Sequence, residues 1–392
     1  MVYEPREDSF LLQKEVLKYA RGKCLDIGTG SGIQAKAALK NGELVVALDI
    51  DDKAVEEAKK HLGKRAVCAK SDLFEFFEKK KYSKIRDKRL RKILSGPKFD
   101  TIIFNPPYLP EDARLKDITL DGGKKGYEIL EKFFSNVNSY LAPDGIILIV
   151  FSSLTNKSKV DEIIKGRMLE REQLSMQRIF FEELYVYRIK KSALLKELEK
   201  KGVTGIKFLA RGKRGVVFTG TFKGRKIAIK AKKKESMAIG RIENEANYLK
   251  LLNKKGIGPK FIFAGDGYLC YEFVNGKFIV DYLEKCSKAQ AKSVLKALFK
   301  QLYVLDQLKV DKEEMHHPFK HIIVGKKAVM IDFERCHKTL APKNVTQFLQ
   351  FVSSDNLSSI LKKKGISISR QKAIRLAKQY KKDYSRNVLK IF

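Results

Sequence analysis

The sequence predicts an α/β, Rossmann-like domain over residues 1–190 and an α+β domain over residues 191–392. The first prediction rests on four short apolar runs, each followed by glycines, an acid or a rigid Asn-Pro-Pro loop. Ligands of open α/β sheets bind outside the carboxyl ends of the strands, so these residues are expected to share one site. The second prediction rests on two apolar runs that flank a glycine-containing loop and are followed by a helical pattern.

A helical pattern over residues 7–20 comes first, with Phe10, Leu11, Val16 and Leu17 on its expected apolar side. The glycine-rich turn follows the first predicted strand, residues 23–27, and leads into a second helical pattern. Glycines at such a turn let the backbone approach a ligand closely. The three glycines are Gly28, Gly30 and Gly32.

An acid, Asp26, immediately precedes this turn. Its charge would repel a pyrophosphate but suits a cationic ligand. S-adenosylmethionine has both a sulfonium and an ammonium group, so the sign of the charge favours this cofactor.

Two further strand ends place acids beside the turn. Asp49 ends the run of residues 44–48, about 20 residues beyond the first glycines, where an acid can accept hydrogen bonds from ribose hydroxyls. Asp72 follows the run of residues 66–69 and can accept from an adenine amine, with Leu73 packing on the ring.

The fourth strand, residues 101–103, runs into Asn105-Pro106-Pro107-Tyr108. Prolines cannot donate to a sheet ladder, so the strand must end here in a stiff loop. Taken alone, such a loop is more often a turn than a site. Beside a glycine turn and two strand-end acids, it becomes the candidate catalytic loop.

Residues 1 to about 188 resemble the HemK-like release-factor glutamine methyltransferases of archaeal and eukaryotic type, which have the class I methyltransferase fold. The matching stretches are residues 2–12, 25–32, 104–110, 120–123 and 180–184. The resemblance implies S-adenosylmethionine as cofactor, a peptide-chain release factor as substrate and a small zinc-binding activator subunit as partner. It also implies that Ser9, Asp26, Gly28, Asp49, Asp72 and Asn105 contact the cofactor.

The chemistry of the loop agrees with a glutamine substrate. The nitrogen of an amide is a poor nucleophile, and the side-chain oxygen of Asn105 and the carbonyl of Pro106 can accept its two N–H bonds. Tyr108 can cover the flat face of the substrate, so positioning supplies most of the catalysis. Residues 117–126 are expected to form a lid near the substrate.

The second domain resembles small, divergent protein kinases of the RIO and Bud types, which implies an α+β, two-lobed fold. The resemblance places Gly212 and Gly215 over the phosphates of ATP, Lys230 on the phosphates with Glu245 as its partner, and residues 271–276 at the adenine. It also implies that Asp332, in an Asp-Phe-Glu triplet, binds Mg²⁺. His316 and His321 stand where kinases have the catalytic Asp and a metal-binding Asn, so phosphotransfer and a nucleotide-binding pseudokinase or ATPase-like switch both stay open.

Charge and composition suggest the cell compartment and further partners. The net charge is +35, of which the last 202 residues supply +28, and the segment 79–98 and the helical pattern 370–390 are both strongly basic. These surfaces suit rRNA, tRNA or a ribosome, although a lysine-rich proteome or adaptation to heat or salt gives the same bias. Five scattered cysteines and no apolar run long enough to span a bilayer predict a cytoplasmic protein with no membrane partner.

Two rival functions remain open at this point. The Asn-Pro-Pro-Tyr loop also suits adenine amines in RNA or DNA, and the high positive charge favours such a substrate. The chain could also be a ribosome- or RNA-binding protein whose second half only senses ATP.

Overall fold

The computed structural model describes residues 3–109, 123–212, 215–232 and 241–387. Two compact units divide the chain, Met1–Lys207 and Phe208–Phe392. The division lies beyond the 190/191 boundary expected from the sequence, because a helix, Ala193–Lys200, belongs with the first unit.

The first unit alternates strands and helices. Its elements are α1 (Glu7–Tyr19), β1 (Gly22–Ile27), α2 (Ile33–Ala38), β2 (Gly42–Asp49), α3 (Asp52–Leu62), β3 (Ala66–Lys70), α4 (Glu75–Glu78), α5 (Lys88–Leu94), β4 (Phe99–Phe104), α6 (Glu128–Asn136), β5 (Leu141–Ser152), α7 (Lys157–Lys165), β6 (Leu169–Ile179), β7 (Glu182–Lys191) and α8 (Ala193–Lys200).

These strands form one seven-stranded sheet in the order β3-β2-β1-β4-β5-β7-β6. The first five strands are parallel, and β7 and β6 add an antiparallel hairpin at one side. Strand order reverses between β1 and β4, which is the position where such sheets bind ligands. The α/β, Rossmann-like class of this unit is confirmed.

Parallel strands covered on both faces are mainly apolar, and the inner strands here bury most of their residues. Val45, Val46 and Leu48 of β2 and Ile102 and Ile103 of β4 are buried. Because the parallel strands all end at the same edge of the sheet, the turn after β1 and the loops after β2, β3 and β4 lie on that edge.

Aromatic rings fill the space between one face of this sheet and its helices. Phe133 of α6 packs against Phe74 and Phe104, and Phe74 stacks on Tyr140 with ring centroids 4.4 Å apart. Burying a side chain of this size stabilises the fold by about 1.5–3 kcal/mol, so the cluster holds α6 against the strand that precedes the Asn-Pro-Pro loop.

Helix α1 corrects one expectation from the sequence. Its buried residues are Asp8, Ser9, Leu11, Leu12 and Val16, whereas Phe10 is exposed and Leu17 is half-buried. The face that packs on the unit is therefore rotated toward Asp8 and Ser9, because two polar side chains find partners inside.

The basic segment 79–98 is only partly helical. It contains a short 3₁₀ turn, Lys81–Lys84, and the seven-residue helix α5, whose N-terminus is capped by the side chain of Asp87.

The second unit begins with a sheet and continues as a mainly helical region. Its elements are β8 (Val203–Arg211, which spans the division), β9 (Gly215–Phe222), β10 (Arg225–Lys232), α9 (Arg241–Asn253), β11 (Phe261–Gly265), β12 (Tyr268–Glu272), β13 (Lys277–Phe278), α10 (Ile279–Lys285), α11 (Lys288–Gln307), β14 (Val310–Asp311), β15 (Ile322–Val324), β16 (Ala328–Met330), β17 (His337–Lys338), α12 (Asn344–Val352), α13 (Asp355–Lys362) and α14 (Arg370–Asp383).

A five-stranded sheet of order β11-β12-β10-β9-β8 opens this unit, and β10 pairs antiparallel with both β9 and β12. Helix α11 begins with a capping box between Ser287 and Gln290 and runs for 20 residues through the apolar core of the helical region. The basic pattern expected over 370–390 forms α14 as far as Asp383. Among the described residues of both units, no helix is long and apolar enough to cross a membrane.

Candidate functional site

A buried acid of α1 organises the loop after β4. Asp8 is 4% exposed, and its Oδ2 accepts hydrogen bonds from Asn105 Nδ2 at 3.0 Å and from the Tyr108 hydroxyl at 3.3 Å. Its Oδ1 accepts from the backbone N–H of Ser9 and from the Tyr3 hydroxyl. The acid thus ties the first helix to the candidate catalytic loop.

The carboxylate also fixes which way the Asn105 amide points. An ionised carboxylate only accepts hydrogen bonds, so the NH₂ group of Asn105 must face Asp8, and Ser9 Oγ lies 3.3 Å from the same nitrogen. The Asn105 carbonyl oxygen Oδ1 therefore faces the other way. It is buried, and within the described part of the chain no donor reaches it.

Burying an acceptor without a partner costs about 1–3 kcal/mol, so this oxygen is a point where a ligand donor would bind. The sequence missed Asp8 as a site residue, although Asp8 lies in the stretch that carries the resemblance. An acid at the start of a predicted core helix, directly before Ser9, was the available signal.

The rest of the loop is held from the end of β5. Thr155 Oγ1 donates to the backbone oxygen of Tyr108 at 2.9 Å. Pro106 is buried, and Pro107 and Tyr108 are half-buried. Burial, with a further contribution from the charge of Asp8, raises the pKa of Tyr108, so its hydroxyl stays protonated and donates. Most of the expected lid, residues 117–122, lies outside the described residues.

Asp26 lies under the glycine turn with one oxygen unused. Its Oδ2 accepts from Thr29 Oγ1 at 2.6 Å and from the N–H of Ala35 at 3.0 Å, while its Oδ1 is buried and reached by no donor in the described ranges. Burial raises the pKa of this carboxyl to about 7. A cationic ligand is the natural partner for such a group.

The glycine turn adopts backbone angles that favour glycine. Gly28, Gly30 and Gly32 have φ values of 65°, 51° and 83°, all in the left-handed region. The N–H of Gly30 donates to Asp49 Oδ2 at 2.9 Å, which joins the turn after β1 to the end of β2. Burial raises the pKa of Asp49, and the next residue, Ile50, exposes an apolar side chain at the same edge.

Asp72 differs from the other two acids because it is already paired. Its Oδ2 lies 2.5 Å from Lys132 Nζ, and its side chain is 44% exposed. Leu73 is half-buried with φ at 48°, and its backbone oxygen accepts from Ser71 Oγ at 2.8 Å. A nucleobase bound at the end of β3 would contact Leu73, next to the Asp72 carboxylate that pairs with Lys132.

The residues of this edge fit S-adenosylmethionine. The unused oxygen of Asp26 suits the ligand's cationic group, Asp49 suits ribose hydroxyls, and the glycine backbone leaves room for close approach. The Asn105 oxygen lies on the neighbouring strand end, at the position of the switch in strand order.

The second unit has its own polar cleft, about 300 Å³ in volume. Lys230 Nζ lies 2.6 Å from Glu245, 2.7 Å from Asp332 and 3.2 Å from Glu334. Burial alone would lower the pKa of Lys230, but the three carboxylates outweigh it and raise the pKa. Gly212 and Gly215 line the same cleft, and Asp332 has φ at 63°.

The acid and base groups around this cleft differ from the sequence-based expectation. His316 packs on the ring of His317, with centroids 4.6 Å apart, and is not among the lining residues. His321, the other histidine expected at this site, does line the cleft. Glu314 lines it as well, with His321 Nε2 3.6 Å from Glu314 Oε2. Spacing counted back from Asp332 missed Glu314, because the loop between β14 and β15 sets the distance only in the folded chain.

Lys312 is a further cleft residue that the sequence did not indicate. It is buried, and its Nζ donates to the backbone oxygen of Asp332 at 2.8 Å. Burial lowers the pKa of Lys312 and, with the nearby lysine charge, that of His321. Glu245, Asp332 and Glu334 bring carboxylate oxygens within 4.8 Å of one another, a donor set that suits Mg²⁺.

Comparison with known proteins identifies the first unit. A family model described as the methyltransferase small domain matches residues 7–180. A candidate protein N5-glutamine methyltransferase of Methanocaldococcus jannaschii is 35% identical over 191 residues, which cover 47% of this chain and 89% of that protein. A release factor glutamine methyltransferase of Rhodospirillum rubrum is 30% identical over 168 residues, or 38% of this chain and 46% of that protein.

Among solved structures, the Mtq2–Trm112 complex of E. cuniculi, described as methylating the eRF1 translation termination factor, is similar at 22% identity. The similarity covers 49% of this chain and 99% of that one, with a TM-score of 0.37.

The sheet order and the family match define the first unit as a class I methyltransferase domain that uses S-adenosylmethionine. Its 35% identity extends over 89% of the length of the archaeal relative. The chain therefore belongs to the HemK-like family of protein glutamine methyltransferases.

Proposed function

We propose that the first unit methylates the side-chain amide of a glutamine in a peptide-chain release factor. The observation that supports this most directly is the unused, buried Oδ1 of Asn105, held in place by Asp8. A glutamine amide has two N–H donors, and an acceptor at this position can orient its nitrogen. The relatives whose names specify a glutamine substrate support the same choice.

Bound S-adenosylmethionine supplies the methyl group, and the chain's own residues position its acceptor. Asn105 Oδ1 accepts an amide N–H, which directs the nitrogen lone pair away from the loop. Tyr108, kept protonated by burial and by Asp8, can cover the flat face of the substrate amide as a neutral side chain. Correct alignment of two reactants is worth about 7–11 kcal/mol. The S–CH₃ bond breaks as the N–CH₃ bond forms, and the sulfur keeps the electron pair of the broken bond. The methylated amide cation is a strong acid that gives its proton to water, so the site needs no strong base.

We propose for the site residues the same roles that the sequence predicts. The proposed cofactor-binding residues are Ser9, Asp26, Gly28, Gly30, Gly32, Asp49, Asp72, Leu73 and Asn105. The proposed catalytic loop consists of Asn105, Pro106, Pro107 and Tyr108. The small zinc-binding activator subunit and contacts with rRNA or tRNA stay predictions, to be tested by co-purification of the full chain.

Labelled methyl transfer tests this function. The full chain and labelled S-adenosylmethionine are incubated in three separate reactions, with recombinant release factor, with tRNA and with rRNA. We expect label in the release factor and a loss of at least about 100-fold for Asn105→Ala, because the acceptor that orients the nucleophile is gone. Label in RNA alone would refute the glutamine assignment. It would support adenine methylation, the alternative that the net charge of +35 favours.

For the second unit, residues 208–392, we propose a protein-kinase-like domain that binds ATP with Mg²⁺. The Lys230–Glu245 ion pair and the nearby Asp332 support this proposal. Lys230 would bind the phosphates. Asp332 and Glu334 would bind the metal once Lys230 no longer pairs with them. Glu314 lines the same cleft and pairs with Arg335, and we propose that its carboxylate accepts the proton of a protein hydroxyl in phosphotransfer.

A further inference from the structure

We propose that the tip of the β6–β7 hairpin, residues Phe180 and Phe181, docks the polypeptide segment that contains the target glutamine. This inference rests on the proposed function of the first unit. It adds a surface that recognises the substrate outside the Asn105 loop.

The hairpin tip lies at the same edge of the sheet as the catalytic loop. Strand β4 runs parallel to β5, with Phe104 beside Ile149, so both strands end at this edge. Strand β7 runs antiparallel to β5, with Leu184 beside Ser152, and so begins where β5 ends. The turn between β6 and β7 therefore extends from the edge where the Asn105 loop emerges.

Hydrogen bonds connect the tip to the loop through the end of β5. The N–H of Glu183 donates to Ser153 Oγ at 3.0 Å. Two residues later, Thr155 Oγ1 donates to the backbone oxygen of Tyr108. A substrate bound at the tip would therefore be held at a fixed position relative to Tyr108.

The residues at the tip conflict with the local rules for a turn. Ile179 pairs with Glu182, which leaves a two-residue turn of Phe180 and Phe181, and Phe180 has φ at 32°. Such turns favour glycine at a left-handed first position and polar residues beside it. Phe180 and Phe181 are instead 99% and 98% exposed. These two apolar side chains weaken the turn and make no contribution to the core of the unit. Burial against a partner explains why they are present.

The charge beside the tip favours a polypeptide over a nucleic acid. Glu182 has one buried oxygen that no donor reaches in the described ranges, and its charge acts on the Tyr108 hydroxyl. An unpaired carboxylate repels phosphates but accepts backbone N–H groups of a peptide. Glu183 lies 3.3 Å from the exposed Arg178 and partly offsets its positive charge at the tip.

A double variant with better turn residues tests the proposal. Phe180→Gly/Phe181→Ser removes both rings and supplies the residues that the turn favours, so we expect its thermal midpoint to equal or exceed that of the wild type. Met176→Ser is the matched control, because Met176 is an exposed apolar residue on the same hairpin, away from the tip. Steady-state methylation of recombinant release factor is measured for all three full-length proteins, together with their affinity for S-adenosylmethionine.

We expect the double variant to raise KM for the release factor about tenfold or more, with kcat and cofactor affinity within about twofold of wild type. Met176→Ser should match the wild type. An unchanged KM in the double variant, with active wild type, would overturn the docking proposal alone. Wild-type protein that methylates no release factor would instead refute the proposed function, and a tip-dependent methylation of tRNA or rRNA would show that the partner is RNA.

Discussion

Replacing Asp8 by Asn is the sharpest test of how the catalytic loop is positioned. The two side chains have the same shape, but Asn offers both a donor and an acceptor where Asp8 offers only acceptors. In the variant, the Asn105 amide can turn over and use its oxygen to accept from residue 8. The oxygen that we propose for the substrate is then occupied part of the time.

The expected size follows from the bonds that Asp8 makes. Its Oδ2 accepts from Asn105 at 3.0 Å and from Tyr108 at 3.3 Å, and hydrogen bonds to a charged group contribute about 1.5–3 kcal/mol. At about 1.4 kcal/mol for each factor of ten, kcat should fall about 10- to 150-fold. Asp8 acts through Asn105 and is a positioning residue, so the affinity for S-adenosylmethionine should change by no more than about twofold.

The assay is methylation of release factor under saturating cofactor, with the thermal midpoint measured in parallel. Asp52→Asn is the control, because Asp52 pairs with Lys70 at the exposed start of α3 and both side chains are more than half exposed. Equal kcat values for Asp8→Asn and the wild type would refute the role given to Asp8. A fall in kcat accompanied by an equal loss of cofactor affinity would show a general collapse of the site instead.

Two further predictions concern pH and the second unit. Burial raises the pKa of Asp26 to about 7, so affinity for S-adenosylmethionine should fall as the pH drops below about 7, by at most about tenfold for each pH unit. The same raised pKa means that the ligand-free fold loses stability as the pH rises from about 4 to about 7. Asp26→Asn should flatten the pH profile of cofactor affinity, measured by calorimetry, and the pH profile of stability, measured by urea unfolding. Unchanged slopes in the variant would contradict this role of Asp26. In the second unit, Lys230→Ala and Asp332→Ala should each abolish Mg²⁺-dependent ATP binding in a calorimetric titration, whereas the exposed Lys250→Ala should bind as the wild type does. Equal ATP affinity in the wild type and both cleft variants would refute the nucleotide proposal.

The fold of the first unit could be predicted from its sequence because local patterns and global topology agree. The apolar runs before Gly28, Asp49 and Asn105 are strands, and each ends near the expected residue. The buried face of α1 differs from the predicted face where polar side chains outside the apolar pattern find hydrogen-bond partners. Asp8 and Ser9 are buried in α1 because Asn105, about 100 residues away, provides hydrogen bonds that periodicity cannot indicate.

The candidate sites were predictable as residue types but not as networks. The pairing of Asp72 with Lys132 and the unused oxygens of Asp26 and Asn105 depend on how distant segments meet. The cleft of the second unit makes the same point, because Glu314 faces it while His316 packs on a neighbouring histidine. Sequence spacing alone indicated His316 and His321 and gave no sign of Glu314.

Mass spectrometry of the methylated product tests the central claim most directly. Release factor treated with the full chain and S-adenosylmethionine is digested, and the modified residue is located by fragmentation. We predict one added methyl group on the side-chain nitrogen of a single glutamine, absent when Asn105→Ala replaces the wild type. A methyl group on any other residue type, or equal methylation by Asn105→Ala, would contradict the proposed function.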